Sequence, residues 1–331
     1  MSTKIEQLLE SFPATKLELD LDNAPKFVVE TDTKPSAGIT LCATKGILSI
    51  TGEQRLKFLQ GQTTCDTAVI TPERASFGAF CNIKGRAIAN FLAFDDGIST
   101  HLIMHQGLIQ PLIAHLTKFA VFFRVTLEET LDQLVLGALN EQDDSDSSTQ
   151  TALHTSKNDG NYRIQLTPQR TITITSIEDA KDSISGTQLL SESQWNIEDL
   201  KEGICWLSPS SSEEFLPQLL GLEEIEGLSF TKGCYTGQEI IARMKYRGQM
   251  KRHITLAGLA SDDSQVNLQE LKPGDKINTS EKNNIGQLIN YEITPTGLLA
   301  LISLEDDFKT IDKCSINQNS LEIKLMEINP S

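Results

Sequence analysis

No stretch of this sequence approaches the roughly 18 apolar residues that a membrane-spanning helix needs; its densest runs, residues 119–125 and 298–304, are strand-sized. No membrane partner is expected. Residues 1–17 alternate charged and apolar side chains without a basic cap ahead of an apolar core, so the expected location is the cytoplasm. Basic residues are few. There are 29 Lys and Arg against 45 Asp and Glu, and the net charge of −16 repels nucleic acid at long range, so such a contact requires a local basic patch. Cysteine is sparse too: none of Cys42, Cys65, Cys81, Cys205, Cys234 and Cys314 forms a C-x-x-C pair or sits at structural zinc spacing. Reduced thiols and no metal site are expected. With 21 Gly and 11 Pro in 331 residues, the composition is neither collagenous nor low-complexity.

What remains is ordinary globular sequence, long enough for two or three domains. Strand-length apolar or alternating runs fall at 46–51, 88–94, 101–104, 122–127, 162–166 and 171–175. Helical spacing appears between them: Leu56 and Leu59 within 54–60, and Leu108, Leu112, Leu116 and Phe119 along one stripe. The class is therefore α+β. Residues 141–160 break the pattern, because 142–148 carry no apolar side chain and cannot offset their ordering entropy by burial. After Gly248, short strands at 254–259, 285–293, 298–304 and 321–328 alternate with turns such as Pro273-Gly274-Asp275, the texture of a small β-barrel. His101, His105 and His115 are read as ordinary core or surface histidines, since Pro111 interrupts their segment and no companion ligand pattern supports a metal.

One segment is distinctive: Lys232-Gly233-Cys234-Tyr235-Thr236-Gly237-Gln238-Glu239, followed by Ile240-Ile241-Ala242-Arg243-Met244-Lys245-Tyr246-Arg247-Gly248. Thr236 or Gly237 can cap a helix over about 238–247 that ends at Gly248. Cys234 then precedes a helix amino terminus, where the dipole and the charge of Lys232 favour a thiolate. Ile240, Ile241 and Met244 supply the buried face, and Glu239 and Arg243 are placed for an i, i+4 pair. From Lys232 to Arg252 six cations stand against one acid, a basic patch inside an acidic chain.

The stretch 232–239 resembles the signature of the YgfZ family, folate-binding proteins related in fold to the glycine-cleavage aminomethyltransferase, or T-protein. Phe58-Leu59-Gln60-Gly61-Gln62-Thr63-Thr64-Cys65-Asp66, Lys84-Gly85-Arg86, Trp195 before Gly203, and Leu216-Pro217-Gln218 agree in order and spacing. The resemblance implies an aminomethyltransferase-like, multi-domain ring with a C-terminal β-barrel. Residues 1–140 and 195–250 would form a folate-binding core of two interleaved α+β modules, 141–194 the acidic loop and the rest of the second module, and 251–331 the barrel. It implies a tetrahydrofolate pocket, or one for a one-carbon derivative, in the middle of the ring, with Cys234 near its mouth and Trp195 stacked on the ligand. The expected functional residues are Cys234 as the thiol, with Lys232, Gly233, Tyr235, Gly237, Gln238, Glu239 and Arg243 around it.

The function implied is support of iron–sulfur enzyme assembly or repair and, through such an enzyme, tRNA methylthiolation. Partners would be iron–sulfur enzymes or their assembly factors, without strong direct tRNA binding. The alternative is a tetrahydrofolate-dependent aminomethyl transferase. Against it, the transferase carries paired aspartates where this chain has Ala89-Asn90, so transfer activity is expected to be absent. A thiol-nucleophile enzyme is a third reading, with His253 the histidine nearest to Cys234 in sequence. Three departures bear on the pocket: Lys45 falls where some members place a second aromatic, Lys201 where the fold supplies a ligand-facing glutamate, and Gly221 where an asparagine is common.

Overall fold

Where apolar side chains fall on both sides of a strand rather than at alternate positions, it must be covered on both faces, and Ala87–Asp95 is buried along its whole length. In the computed structural model this strand is internal to a five-stranded antiparallel sheet in the order Ser76–Cys81, Ala87–Asp95, Ser99–His105, Lys45–Thr51, Thr126–Thr130. The structure describes residues 2–12, 14–30, 35–140, 152–158, 160–247, 251–261 and 268–328. Helices Arg55–Gln62 and Ile109–Phe123 pack against this sheet. Leu112, Leu116 and Ala120 are buried at helical spacing, and this period carries the helix through residues 119–123. The strand expected over 122–127 begins only at Thr126, after Arg124 turns the chain in the left-handed region. Pro111 does not interrupt the segment. It lies in the first helical turn, where its missing N–H has no partner to lose.

A second five-stranded sheet runs Thr155–Asn158, Asn161–Thr167, Arg170–Ser176, Gln133–Leu139, Gly38–Leu41. It therefore joins strands from both sides of the acidic stretch, which itself lies outside the described residues for 141–150. The two sheets meet where Phe94 rests on Tyr162, ring centroids 5.1 Å apart. Helix Glu192–Lys201 follows, opened by a capping box between Ser191 and Gln194.

The third part is a closed antiparallel barrel of Arg252–Ala260, Gly297–Glu305, Gly286–Thr294, Lys276–Asn278, Lys313–Ile316 and Asn319–Met326. Its interior is filled by Ile277, Leu288, Ala300, Ile302 and Ile316, so it is a packed core. An amino-terminal hairpin, Thr15–Leu19 paired with Pro25–Val29, ties the parts together. Lys26 bridges to Glu292 of the barrel at 2.8 Å, and the Phe27 N–H donates to Glu192 at 3.1 Å. Among the described residues no helix is long and apolar enough to cross a membrane.

Candidate functional site

The signature forms a turn and then the helix Gln238–Arg247, with Ile241 fully buried and Ile240 and Met244 half-buried; the expected end at Gly248 lies outside the described residues. Gly237 sits at φ +84°, and a Cβ there would stand 2.5 Å from the Asn82 carbonyl oxygen and 2.9 Å from the Gly85 Cα. Only glycine meets both demands. Gly237→Ala is expected to destabilise the fold by about 2–3 kcal/mol, read as a lowered midpoint in urea; an unchanged midpoint would refute this packing.

Two other segments of the family pattern close on the signature turn and its helix. Gln218 donates to the Ile241 carbonyl at 2.9 Å. Lys232, mostly buried, donates to the carbonyls of Thr63 at 2.7 Å and Cys65 at 2.6 Å and lies 5.1 Å from the Tyr235 ring centre. Burial pulls the Lys232 ammonium down to about 8. Its charge is thus directed to the 63–65 turn, where it acts as an anchor. Tyr235 is buried with no partner for its hydroxyl, and burial raises its pKa.

Cys234 and Gly233 are exposed. Of the six cysteines Cys234 alone is exposed; burial pushes Cys81 and Cys205 up to about 12 and Cys314 to about 11, which leaves those thiols unreactive. His253 is hydrogen-bonded to Asp306 at 3.0 Å, and no hydrogen bond joins it to Cys234. Glu239 and Arg243 are exposed and form no ion pair among the described residues. Half of the basic patch is committed: Lys232 to carbonyls, Lys245 to Glu223, and Arg252 to Glu305. Arg243, Arg247 and Lys251 remain exposed and without ion pairs among the described residues.

None of residues 230–247 lines the cavity between the amino-terminal hairpin and the barrel, so no lining contact supports a place for Cys234 at its mouth. This cavity, of about 530 Å³, lies where the amino-terminal hairpin, the start of strand Lys45–Thr51, helix Glu192–Lys201 and the barrel meet. Trp206, Ile204 and Leu200 give it an apolar wall, Lys45, His105 and Asp199 supply buried polar groups, and Glu18, Asp20, Asp22 and Glu292 make it acidic. His105 bonds Asp20 at 3.0 Å. Burial works against the Asp20 carboxylate, but that bond and the N–H groups of Ala24 and Asp22 hold its pKa below the usual range.

Trp195 is not in this wall. It is a core residue, 1% exposed, packed so closely on Gly137 that a Cβ there would be 2.5 Å from the indole, with the Arg170 guanidinium 4.2 Å from its ring centre. The cavity tryptophan is Trp206, held by Nε1–H to Asp199 at 2.9 Å. Asp199 and Glu202 together bind Arg170, and burial pushes the Glu202 carboxyl up to about 7. Lys201 points away, paired with Glu198 on the surface at 2.7 Å. It therefore puts no charge into the cavity, contrary to expectation. Gly221 ends the 3₁₀ turn Pro217–Leu220 at φ +71° and does not line this cavity. Asn90 is buried and bridges residues 205–207: Nδ2–H donates to the Cys205 carbonyl at 2.7 Å, and Oδ1 accepts from the Leu207 N–H at 2.8 Å.

Comparison with models of known protein families gave no match. The chain is 30% identical over 238 residues to tRNA-modifying protein YgfZ of Vibrio atlanticus, covering 71% of this chain and 73% of that protein. It is 32% identical over 228 residues to the protein of the same name from Yersinia pestis, covering 65% and 69%. Among solved structures, glycine cleavage system aminomethyltransferase T from Bartonella henselae superposes with a TM-score of 0.73 at 13% identity, covering 99% of this chain and 96% of that one. That likeness establishes the aminomethyltransferase-like fold.

Proposed function

The chain belongs to the YgfZ family, and from that premise we propose that it is a folate-binding accessory protein that supports iron–sulfur enzymes and, through one of them, tRNA modification. The observation that carries the reading is the cavity. Its volume of about 530 Å³ suits a drug-sized ligand, and one indole wall with a few convergent polar groups is the usual chemistry of such sites. Trp206 offers a flat partner for a pterin or benzoyl ring. The carboxylates at the cavity rim offer acceptors for ring N–H and amino groups, and Lys45 offers a donor. These residues suit the pterin and benzoyl rings of a reduced folate.

An accessory role accords with the separation of parts. The exposed thiol of Cys234 stands on the signature turn and the cavity is lined by other residues, so a ligand in the cavity leaves the thiol open to a partner protein or a transient sulfur or cluster species. The tRNA effect is indirect on this reading. With a net charge of −16 and half the patch already paired, few phosphate contacts are available and they would weaken steeply with salt.

Calorimetric and fluorescence titration with tetrahydrofolate tests the proposal. Tetrahydrofolate should quench tryptophan emission through Trp206. Trp206→Phe should remove most of the quenching and Trp195→Phe should leave it. Loss with Trp195→Phe alone would place the ligand elsewhere, and no heat or quenching with the native chain would refute folate binding.

A further inference from the structure

Lys45 begins its strand only 6% exposed, yet it lines the cavity. Its ammonium lies 4.8 Å from the Trp206 ring centre and makes one long hydrogen bond, 3.3 Å to the Thr44 hydroxyl. An ammonium has three donors, so donors remain. The buried carboxylate of Glu192 feels the Lys45 charge but makes no hydrogen bond to it: it already accepts from the N–H groups of Phe27, Ala43 and Thr44 and from the Thr44 hydroxyl. The other cavity lysine, Lys26, is held by both oxygens of Glu292 at 2.8 Å. Lys45 is thus the one lysine of the cavity wall that forms no ion pair among the described residues. A buried ammonium with unused donors is costly unless an acceptor arrives.

We infer that Lys45 is a specificity-determining residue of the cavity, its ammonium binding the carbonyl acceptor of a flat heterocyclic lactam that lies against Trp206. This rests on the folate reading and narrows it: the site selects a pterin with a 4-oxo group over one with a 4-amino group. The oxo group accepts the Lys45 hydrogen bond. An amino group sets donor against donor and leaves the buried charge unpaired, which is the situation in which polar sites discriminate most strongly.

The test compares tetrahydrofolate with its 4-amino-4-deoxy analogue by calorimetry, on the native protein and on Lys45→Met, which keeps the side-chain length and removes the charge. The native protein should bind the oxo form at least about tenfold more tightly, as loss of a charge-assisted hydrogen bond implies. In Lys45→Met the oxo form should weaken and the preference should fall to within about threefold, a loss of discrimination that general destabilisation does not produce. Equal binding of the two ligands by the native protein overturns the inference without any variant, and so does a preference that survives in Lys45→Met. If the native protein binds neither ligand, the folate reading itself has failed, and the inference fails with it in a distinguishable way.

Discussion

Cys234→Ala is expected to abolish support of iron–sulfur enzyme activity, and of the tRNA methylthiolation that depends on it, in a strain lacking the native protein. The same variant should move Tm by less than about 2 °C. Both halves follow from position. The side chain is exposed on the turn before helix Gln238–Arg247, so truncation to the Cβ opens no cavity and frees no buried polar group. What disappears is the one exposed thiol of the chain. The buried cysteines provide the control with the opposite signature. Cys65 and Cys205 are sealed in the core, and replacing either by alanine should lower Tm while function is retained at permissive temperature. Full rescue by Cys234→Ala would remove the thiol from the mechanism and leave the signature as packing alone.

How much of this was legible beforehand depends on whether local pattern or tertiary contact decides. Helix Gln238–Arg247 follows the expected bounds because a glycine and an apolar stripe both mark it, and the barrel strands follow theirs because turns punctuate them. Residues 119–125 misled because a run of apolar residues serves a buried strand and a helix equally well. Which side chains of residues 195–206 face the cavity turns on tertiary structure as well. Residues 201 and 202 close helix Glu192–Lys201, which sets the side on which each falls. In a helix Glu192, Trp195, Asp199 and Glu202 share one side, and Lys201 falls off it. A buried polar stripe at helical period was the signal available, and it points to Asp199. Trp206 could not be chosen over Trp195 from sequence, since what separates them is Gly137 and Arg170 closing around one ring and open space beside the other.

The other large effect concerns Asn90, which stands with Ala89 where the family resemblance would place the transferase's paired aspartates. The purified protein should show no aminomethyl transfer from a lipoyl carrier to tetrahydrofolate, and Asn90→Asp should not create it. Neither residue 89 nor residue 90 lines the cavity, so an acid there would face the chain and not the ligand. It would also break a clamp. The Asn90 amide donates to Cys205 and accepts from Leu207, fixing the backbone on both sides of Trp206. An aspartate keeps the second bond but sets an oxygen against the Cys205 carbonyl unless it holds a proton. At neutral pH Asn90→Asp should therefore cost about 3 kcal/mol, the range for a buried charge without its partner. The sign of the pH dependence follows. A carboxyl that must be protonated to fit has a folded pKa raised above its unfolded value, so the deficit against the native protein is greatest above that raised pKa and shrinks as pH falls through it. Parallel urea unfolding of both proteins at pH 7.5 and pH 5 measures this. A constant deficit would show that the clamp is not what position 90 supplies, and heat-labile, folate-dependent turnover by the native chain would restore the transferase reading.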